Sequence, residues 1–226
     1  MRRNDDRAAQ RSLESNRIAA DAPGAIERAA RIVVGGGVVA IPTDTVYGVA
    51  ASLARPEALQ RLYHIKGRPD DKPLPVLLAS SDAMRLVAVA LPAEILALAD
   101  RFWPGPLTVV APARPDLPAL ATGKDRAGRP TVGLRVPDHA AARAVIERVG
   151  GALAVTSANR SGEASSASAD DVERALGKAC DLIFDAGAAP VGVSSTVVAI
   201  EDGQVVVLRE GAIPAATVAA VWRELR

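Results

Sequence analysis

Short apolar runs that open onto polar turns constrain this chain more than any other feature. Val38-Val39-Ala40-Ile41 leads into Pro42-Thr43-Asp44-Thr45-Val46-Tyr47-Gly48-Val49, and Ala152 to Val155 leads into Thr156-Ser157-Ala158-Asn159. The rigid stretch Lys66-Gly67-Arg68-Pro69-Asp70-Asp71-Lys72-Pro73 stands directly before the run Pro75 to Ala79. Apolar runs of this length, bounded by Gly and Pro, read as buried strands, with helical periodicities between them. That alternation is the pattern of an α/β domain, whose ligands bind where strands end.

Further strands are expected at Leu107 to Ala111, Thr131 to Pro137, Leu182 to Phe184, Val193 to Ile200 and Val205 to Arg209, the last two joined by an Asp202-Gly203 hairpin turn. The first helix begins near Pro23, with Asp21 as cap and Ile26, Ala29, Ala30 and Val33 facing inward, and Gly35-Gly36-Gly37 stop it. Pro56 to Ile65 forms the next, closed by Gly67. A segment capped near Ser80 or Ser81 carries Met84, Leu86 and Val87, and Ala93 to Phe102 turns Ile95, Leu96, Leu98 and Ala99 inward. Asp138 is the expected cap of a helix over 139–149, Ser168 caps one reaching Gly177, and Pro214 starts the last. Residues 112–130 read as a long loop. Residues 1–20, rich in charge and poor in apolar runs, read as a flexible extension, and 21–226 as one domain.

Composition removes several function classes. The chain has 226 residues and a net charge of +1, so bulk electrostatics favour neither nucleic acid nor membrane, and any basic site is local. The single cysteine, Cys180, excludes an internal disulfide framework and fits a reducing, cytoplasmic setting. His64 and His139 lie apart, so no Cys/His zinc spacing exists. Aromatic residues are 3% of the chain, too few for a base-stacking platform. No apolar run reaches membrane-spanning length.

The polar segments 43–48, 66–72, 156–159 and 194–196, with Arg135 and Arg209 on strands, form the candidate site. They offer hydroxyls, an amide and cations, without a cysteine nucleophile, a Ser/His pair or paired carboxylates. Such a set positions substrates and neutralises charge, as in nucleotidyl or phosphoryl transfer. Taken singly, Lys66 and Lys72 read as solvated cations, and Thr43 and Thr45 as turn hydroxyls. Arg135 lies among apolar neighbours and needs an anionic partner, either an internal carboxylate or a ligand. Neither the P-loop nor the dinucleotide glycine motif is present. An anion-binding α/β domain with the residue set of a nucleotide enzyme is as far as the residues alone lead.

An ordered set of motifs resembles the YrdC/Sua5 family of threonylcarbamoyl-AMP synthases. It comprises Pro42-Thr43-Asp44-Thr45-Val46-Tyr47-Gly48, Lys66-Gly67-Arg68-Pro69 with Lys72-Pro73-Leu74, and Trp103-Pro104-Gly105-Pro106-Leu107-Thr108. It continues through Val132 to Pro137, Thr156-Ser157-Ala158-Asn159 with Ser161-Gly162, Ser194 to Val198 and Arg209-Glu210-Gly211, covering about residues 24–214. The resemblance implies a single open, twisted, mixed sheet flanked by helices around a positively lined cavity. It implies a nucleotidyltransferase that joins L-threonine, bicarbonate and ATP, with Mg²⁺, into threonylcarbamoyl-AMP and pyrophosphate. The product would serve N6-threonylcarbamoyladenosine formation in tRNA, with tRNA or the pathway's transferase proteins as further partners. By motif, Arg68, Lys72, Thr131, Ser157, Ser165 and Arg209 would contact ATP. Thr45, Arg135, Thr156 and Ser195 would surround threonine, with Arg135 on its carboxylate, and Lys66, Arg68, Ser157 and Asn159 would form the catalytic set. No residue is assigned to hold a metal. Lys72 and Leu77 depart from the pattern, since many members carry Asn and His there. A paralogue acting on another amino or carbamoyl substrate, and an RNA-binding module, are the alternatives.

Overall fold

The computed structural model describes residues 16–69 and 72–226. In chain order its elements begin with strand β1 (Arg17–Ala19), helix α1 (Ala25–Val34), strands β2 (Val39–Ile41) and β3 (Gly48–Ala51), helix α2 (Pro56–Lys66) and strand β4 (Val76–Leu78). After helix α3 (Ala93–Phe102) come strands β5 (Leu107–Pro112), β6 (Gly123–Lys124) and β7 (Pro130–Arg135), then helix α4 (Ala140–Arg148) and strand β8 (Ala152–Ser157). Helix α5 (Ala169–Leu176), strands β9 (Leu182–Asp185), β10 (Thr196–Glu201) and β11 (Gln204–Arg209), and helix α6 (Ala215–Glu224) complete it. One sheet runs β1-β9-β2-β3-β8-β4-β7-β5-β10-β11, with β6 on β7. Its pairings are parallel at β1/β9, β2/β9, β4/β7 and β5/β10 and antiparallel elsewhere. This is the open, mixed, helix-flanked sheet the motifs implied.

The sheet is packed on both faces, which is why its central strands are apolar throughout. Val39, Ile41, Leu153 and Val155 meet Ala29 and Val33 of α1 and Val145 and Ile146 of α4. Val49, Ala51 and Ala154 meet Leu59 and Leu62 of α2 and Val172 of α5 in a second cluster. Toward the other end, Val76, Leu107, Val109 and Leu134 pack with Leu98 of α3 and Trp222 of α6. Sequence-distant segments thus become sheet neighbours: β3 lies beside β8 with Gly48 opposite Ser157, and β4 beside β7 with Leu77 opposite Arg135.

Several expectations need correction. Where a turn is expected over 42–49, a strand, β3, begins at Gly48, although Gly48-Val49-Ala50-Ala51 has little intrinsic strand preference. Its place between β2 and β8 makes it one: a Cβ on Gly48 would come within 2.5 Å of a Val155 methyl, so only glycine permits that approach. The expected extension over 1–20 ends earlier, since Arg17–Ala19 pair with Ile183 to Asp185, and Arg17 donates to Asp185 at 2.9 Å; residues 1–15 lie outside the described set. Gly24, in a left-handed conformation, rather than Asp21 precedes α1, and Ile26 is only half-buried. The segment after Ser80 is a 3-10 helix, Ser81–Leu86, without a side-chain cap. Leu86 and Leu96 are exposed. The loop 112–130 contains a short 3-10 turn and β6. The cap of α4 is His139, whose Nδ1 accepts the Ala142 N–H at 3.3 Å, in place of Asp138. The Ser168 cap, the Gly67 close of α2 and the Asp202-Gly203 hairpin turn are as expected.

His139 can cap only while Nδ1 carries no proton. Burial lowers its pKa below the ordinary 6.5, against the opposing pull of Asp44. Because the folded-state value is the lower one, the contribution is full above about 6.5 and is lost as pH falls through the folded value. His139→Ala should therefore cost about 1 kcal/mol at neutral pH. Urea unfolding should find that difference shrinking in acid.

Candidate functional site

The polar turns converge. A cavity of about 130 Å³ is lined by Thr43, Thr45, Val46, Tyr47 and Gly48 from the β2–β3 turn, by Arg68, Leu77, Thr108 and Arg135, by Val155, Thr156 and Ser157, and by Ser194, Ser195 and Arg209. It sits where β4, β7 and β8 meet the turns that follow β2 and precede β10. No carboxylate is in that lining.

Arg135 is 5% exposed and occupies the inner end. Its Nε donates to the Gly105 carbonyl at 2.9 Å, Nη1 to Thr45 Oγ1 at 2.8 Å, and Nη2 to Asp44 Oδ1 at 2.5 Å. The Trp103-Pro104-Gly105-Pro106 turn therefore contributes a carbonyl that orients the guanidinium. Thr43 Oγ1 gives its proton to the Val46 carbonyl, so the Thr45 hydroxyl, 2.9 Å away, must donate to Thr43 and accept from Arg135. Of the two partners open to Arg135, the internal carboxylate is present: Asp44, also buried, takes both Nη2 and the Asp138 backbone N–H. Burial lowers the Arg135 pKa, Asp44 opposes that, and Arg209 adds to it. Three of its five N–H groups are thus committed, and two have no hydrogen-bond partner among the described residues.

Lys66 was expected to be catalytic, yet it lies behind the cavity wall. It is 4% exposed, and its Nζ donates to the carbonyl of Ser157, to the Asn159 carbonyl at 2.8 Å, and to Ser157 Oγ and Asn159 Oδ1 at 3.2 Å each. Asn159, also assigned to catalysis, is likewise turned inward, its amide donating to the carbonyls of Arg160 and Glu163. The pair thus holds the turn that presents Ser157. Arg68 does reach the cavity. Its Nε and Nη2 donate to the carbonyls of Lys72 and Pro73 at 2.8 Å each, and Nη1 approaches Thr156 Oγ1 at 3.3 Å. Arg209 Nη2 donates to the Ser195 carbonyl at 2.7 Å, and Ser195 Oγ shares a 2.8 Å hydrogen bond with Thr108 Oγ1. Arg68 and Arg209 have no carboxylate partner among the described residues. Mutual repulsion is felt: Arg68 lowers the pKa of both Arg209 and Lys66, behind burial as the larger cause.

Thr45, Arg68, Arg135, Thr156, Ser157, Ser195 and Arg209 are thus brought to one cavity. Lys72, Thr131 and Ser165 are not in its lining. Lys72 is exposed, and its carbonyl, accepting from Arg68 and Tyr63, is what the segment adds. Thr131 pairs with Pro112 and Gly123 in the sheet. Ser165 is half-buried beside Ser166, whose hydroxyl binds the Ala158 carbonyl. Asp44 and Thr108 went unassigned. A buried arginine calls for an acid, and Asp44 is the carboxylate of the nearest polar turn. Thr108 closes the Trp103-to-Thr108 motif, and its hydrogen bond to Ser195 is what shows that its hydroxyl belongs to the cavity.

A family model named Sua5_yciO_yrdC, described as "Telomere recombination", matches residues 31–211. The chain belongs to the Sua5/YciO/YrdC family. Among its relatives, the threonylcarbamoyl-AMP synthase of Pyrococcus abyssi is 38% identical over 201 residues, covering 89% of this chain and 58% of that protein. The threonylcarbamoyl-AMP synthase of Halorhodospira halophila is 36% identical over 161 residues, 71% of this chain and 82% of that protein. The crystal structure of P. abyssi Sua5 complexed with L-threonine superposes with a TM-score of 0.81 at 38% identity, covering 87% of this chain and 56% of that one. The chain thus spans little more than half the length of the P. abyssi relative.

Burial, with Arg68 second, pushes Lys66 down to about 8. Above that pH the amine has one fewer proton with which to hold the 157–159 turn. Ligand-dependent activity should fall on the alkaline side with a midpoint of about 8. Lys66→Met should lower it about 100-fold and flatten that limb in a pH–rate profile.

Proposed function

We propose that this chain is an L-threonylcarbamoyladenylate synthase, a nucleotidyltransferase that makes threonylcarbamoyl-AMP and pyrophosphate from L-threonine, bicarbonate and ATP. The observation that carries this reading is one cavity bordered by a fixed Arg135, paired with Asp44, and by Arg68 and Arg209, which have no carboxylate partner among the described residues. A relative of the same family solved with L-threonine supports the amino acid. The threonine amine adds to the bicarbonate carbon and water leaves, giving a carbamate. A carbamate oxygen then attacks the α-phosphorus, and the bond to the β-phosphate oxygen breaks to release pyrophosphate. Nothing in this sequence needs a protein nucleophile; it needs alignment and neutralisation of phosphate charge.

Threonine is assigned to the inner end, its carboxylate on the uncommitted N–H groups of Arg135, with Thr45, Thr156 and Ser195 around it. A cavity of about 130 Å³ matches the size of an amino acid. ATP is therefore assigned to the mouth, with Arg68, Ser157 and Arg209 on its phosphates and Lys72, Thr131 and Ser165 on its outer parts. The lining contains hydroxyls and cations but no carboxylate, and no group of three or more His, Cys, Asp or Glu among the described residues forms a metal site. This donor set does not fit a protein-held divalent ion, so Mg²⁺ is assigned to the nucleotide's own oxygens and no step is routed through it. The product would serve N6-threonylcarbamoyladenosine formation in tRNA, with tRNA or the pathway's transferase proteins downstream, in the cytoplasm. Among the described residues no helix is long and apolar enough to cross a membrane.

Leu77 favours a second reading, a paralogue selecting another amino acid, because it makes an apolar wall directly opposite Arg135 in register. Pyrophosphate release from ATP and bicarbonate with L-threonine, L-serine or no amino acid decides between them. Release should require an amino acid and favour threonine over serine about tenfold, the worth of one methyl group in an apolar pocket. Amino-acid-independent release, or none, overturns the synthase; a preference for serine supports the paralogue. Arg68→Ala should lose about 100-fold in turnover while the thermal midpoint holds, because its bonds go only to loop carbonyls and one threonine hydroxyl.

A further inference from the structure

The arginines of the cavity differ in one respect that their identical chemistry hides. Arg135 has a carboxylate at 2.5 Å, whereas Arg68 and Arg209 are held only by carbonyls and hydroxyls among the described residues. We infer that Asp44 is a positioning and specificity residue: it reserves Arg135 for a monocarboxylate and keeps phosphate out of the inner end of the cavity. The inference rests on the synthase reading and deepens it.

A guanidinium alone is a net charge that attracts any anion, and a phosphate more than a carboxylate. Paired with a carboxylate, it becomes close to a dipole, whose attraction fades quickly with distance while its N–H directions stay fixed. Such a group binds by geometry. A carboxylate, with two coplanar oxygens, suits two fixed N–H groups, whereas a polyphosphate needs net positive charge. Asp44 does both parts of this work. Its Oδ1 takes Nη2 of Arg135 and the Asp138 N–H, and with the Gly105 carbonyl and Thr45 hydroxyl it leaves the guanidinium no freedom to turn.

Asp44 is also costly to keep. Its Oδ2 is buried and has no hydrogen-bond partner among the described residues, an arrangement that costs stability. A pair needed only for folding is often replaced by apolar residues without loss. A held guanidinium with its charge cancelled is what those substitutions would not supply. Charge is accordingly uneven around the cavity, cancelled at Arg135 and without a carboxylate partner among the described residues at Arg68 and Arg209, so the carboxylate of threonine and the polyphosphate of ATP are sorted between them.

The test compares the full chain with Asp44→Asn and with the double variant Asp44→Asn/Arg135→Met. In Asp44→Asn the KM for threonine should rise about tenfold while the KM for ATP stays within about twofold. Inorganic phosphate, a competitor of ATP alone in the parent chain, should now compete with threonine too. Equal shifts in both KM values, or an unchanged phosphate pattern, overturn the inference. Should Asp44→Asn not fold, the double variant leaves no uncompensated charge and carries the comparison. It should bind ATP as the parent does by calorimetry, and a loss beyond about fivefold would mean that Arg135 serves phosphate and would overturn the inference. A parent chain without threonine-dependent turnover would instead overturn the synthase reading, and phosphate calorimetry on the parent and Asp44→Asn still decides whether Asp44 excludes phosphate.

Discussion

The buried pair between Arg135 and Asp44 is the interaction on which the rest of the site depends. Arg135 comes from the end of a central strand, Asp44 from the turn after another, and the Gly105 carbonyl from a third segment. Removing one partner of such a pair leaves a bare charge in a low dielectric, at about 3–5 kcal/mol. The β2–β3 turn is thereby pinned to β7, and the same turn accepts the N–H groups of Val191 and Gly192 through the carbonyls of Asp44 and Thr45. The loop delivering Ser194 and Ser195 to the cavity is thus fixed through the ion pair as well.

The opposite wall is built on a different principle. Lys66 is a cation without a carboxylate among the described residues, satisfied by carbonyl and side-chain oxygens from the Ser157–Asn159 turn. Neutral acceptors hold the turn without cancelling the charge, so the wall remains positive. One side of the cavity thus has its charge neutralised and the other keeps it. Tyr47, in the cavity lining, ties that arrangement to the segment after β9, its phenol donating to the Gly187 carbonyl at 2.7 Å.

Most helices were legible because their signals are local. Gly67 closing α2, Ser168 capping α5 and Asp202-Gly203 turning the last hairpin depend on neighbours a few residues away. The strands that were missed depend on partners far along the chain. Residues 17–19 are a strand only because β9 lies beside them, and Gly48 to Ala51 only because β2 and β8 enclose them. His139 takes the cap by accepting the Ala142 N–H, while the Asp138 carboxylate faces Arg143 at 3.4 Å and its backbone N–H is tied to Asp44 by a long-range contact. For the site, the residue types pointed to an anion, and the motif resemblance picked most of the lining. Lys66 and Asn159, which the motif marks for catalysis, lie outside the cavity lining and bond to the 157–163 segment, because a motif marks which residues matter without saying which way a side chain points.

The amino-acid sequence by itself determined that this is an α/β domain with polar turns at strand ends and that its cations gather in a few rigid segments. Those properties follow from local periodicity, turn chemistry and composition, which act over a few residues. Only the tertiary structure decided which cations keep their charge. Compensation depends on distances of a few ångströms between residues such as Arg135 and Asp44, 91 positions apart, and strand order alone brings them together.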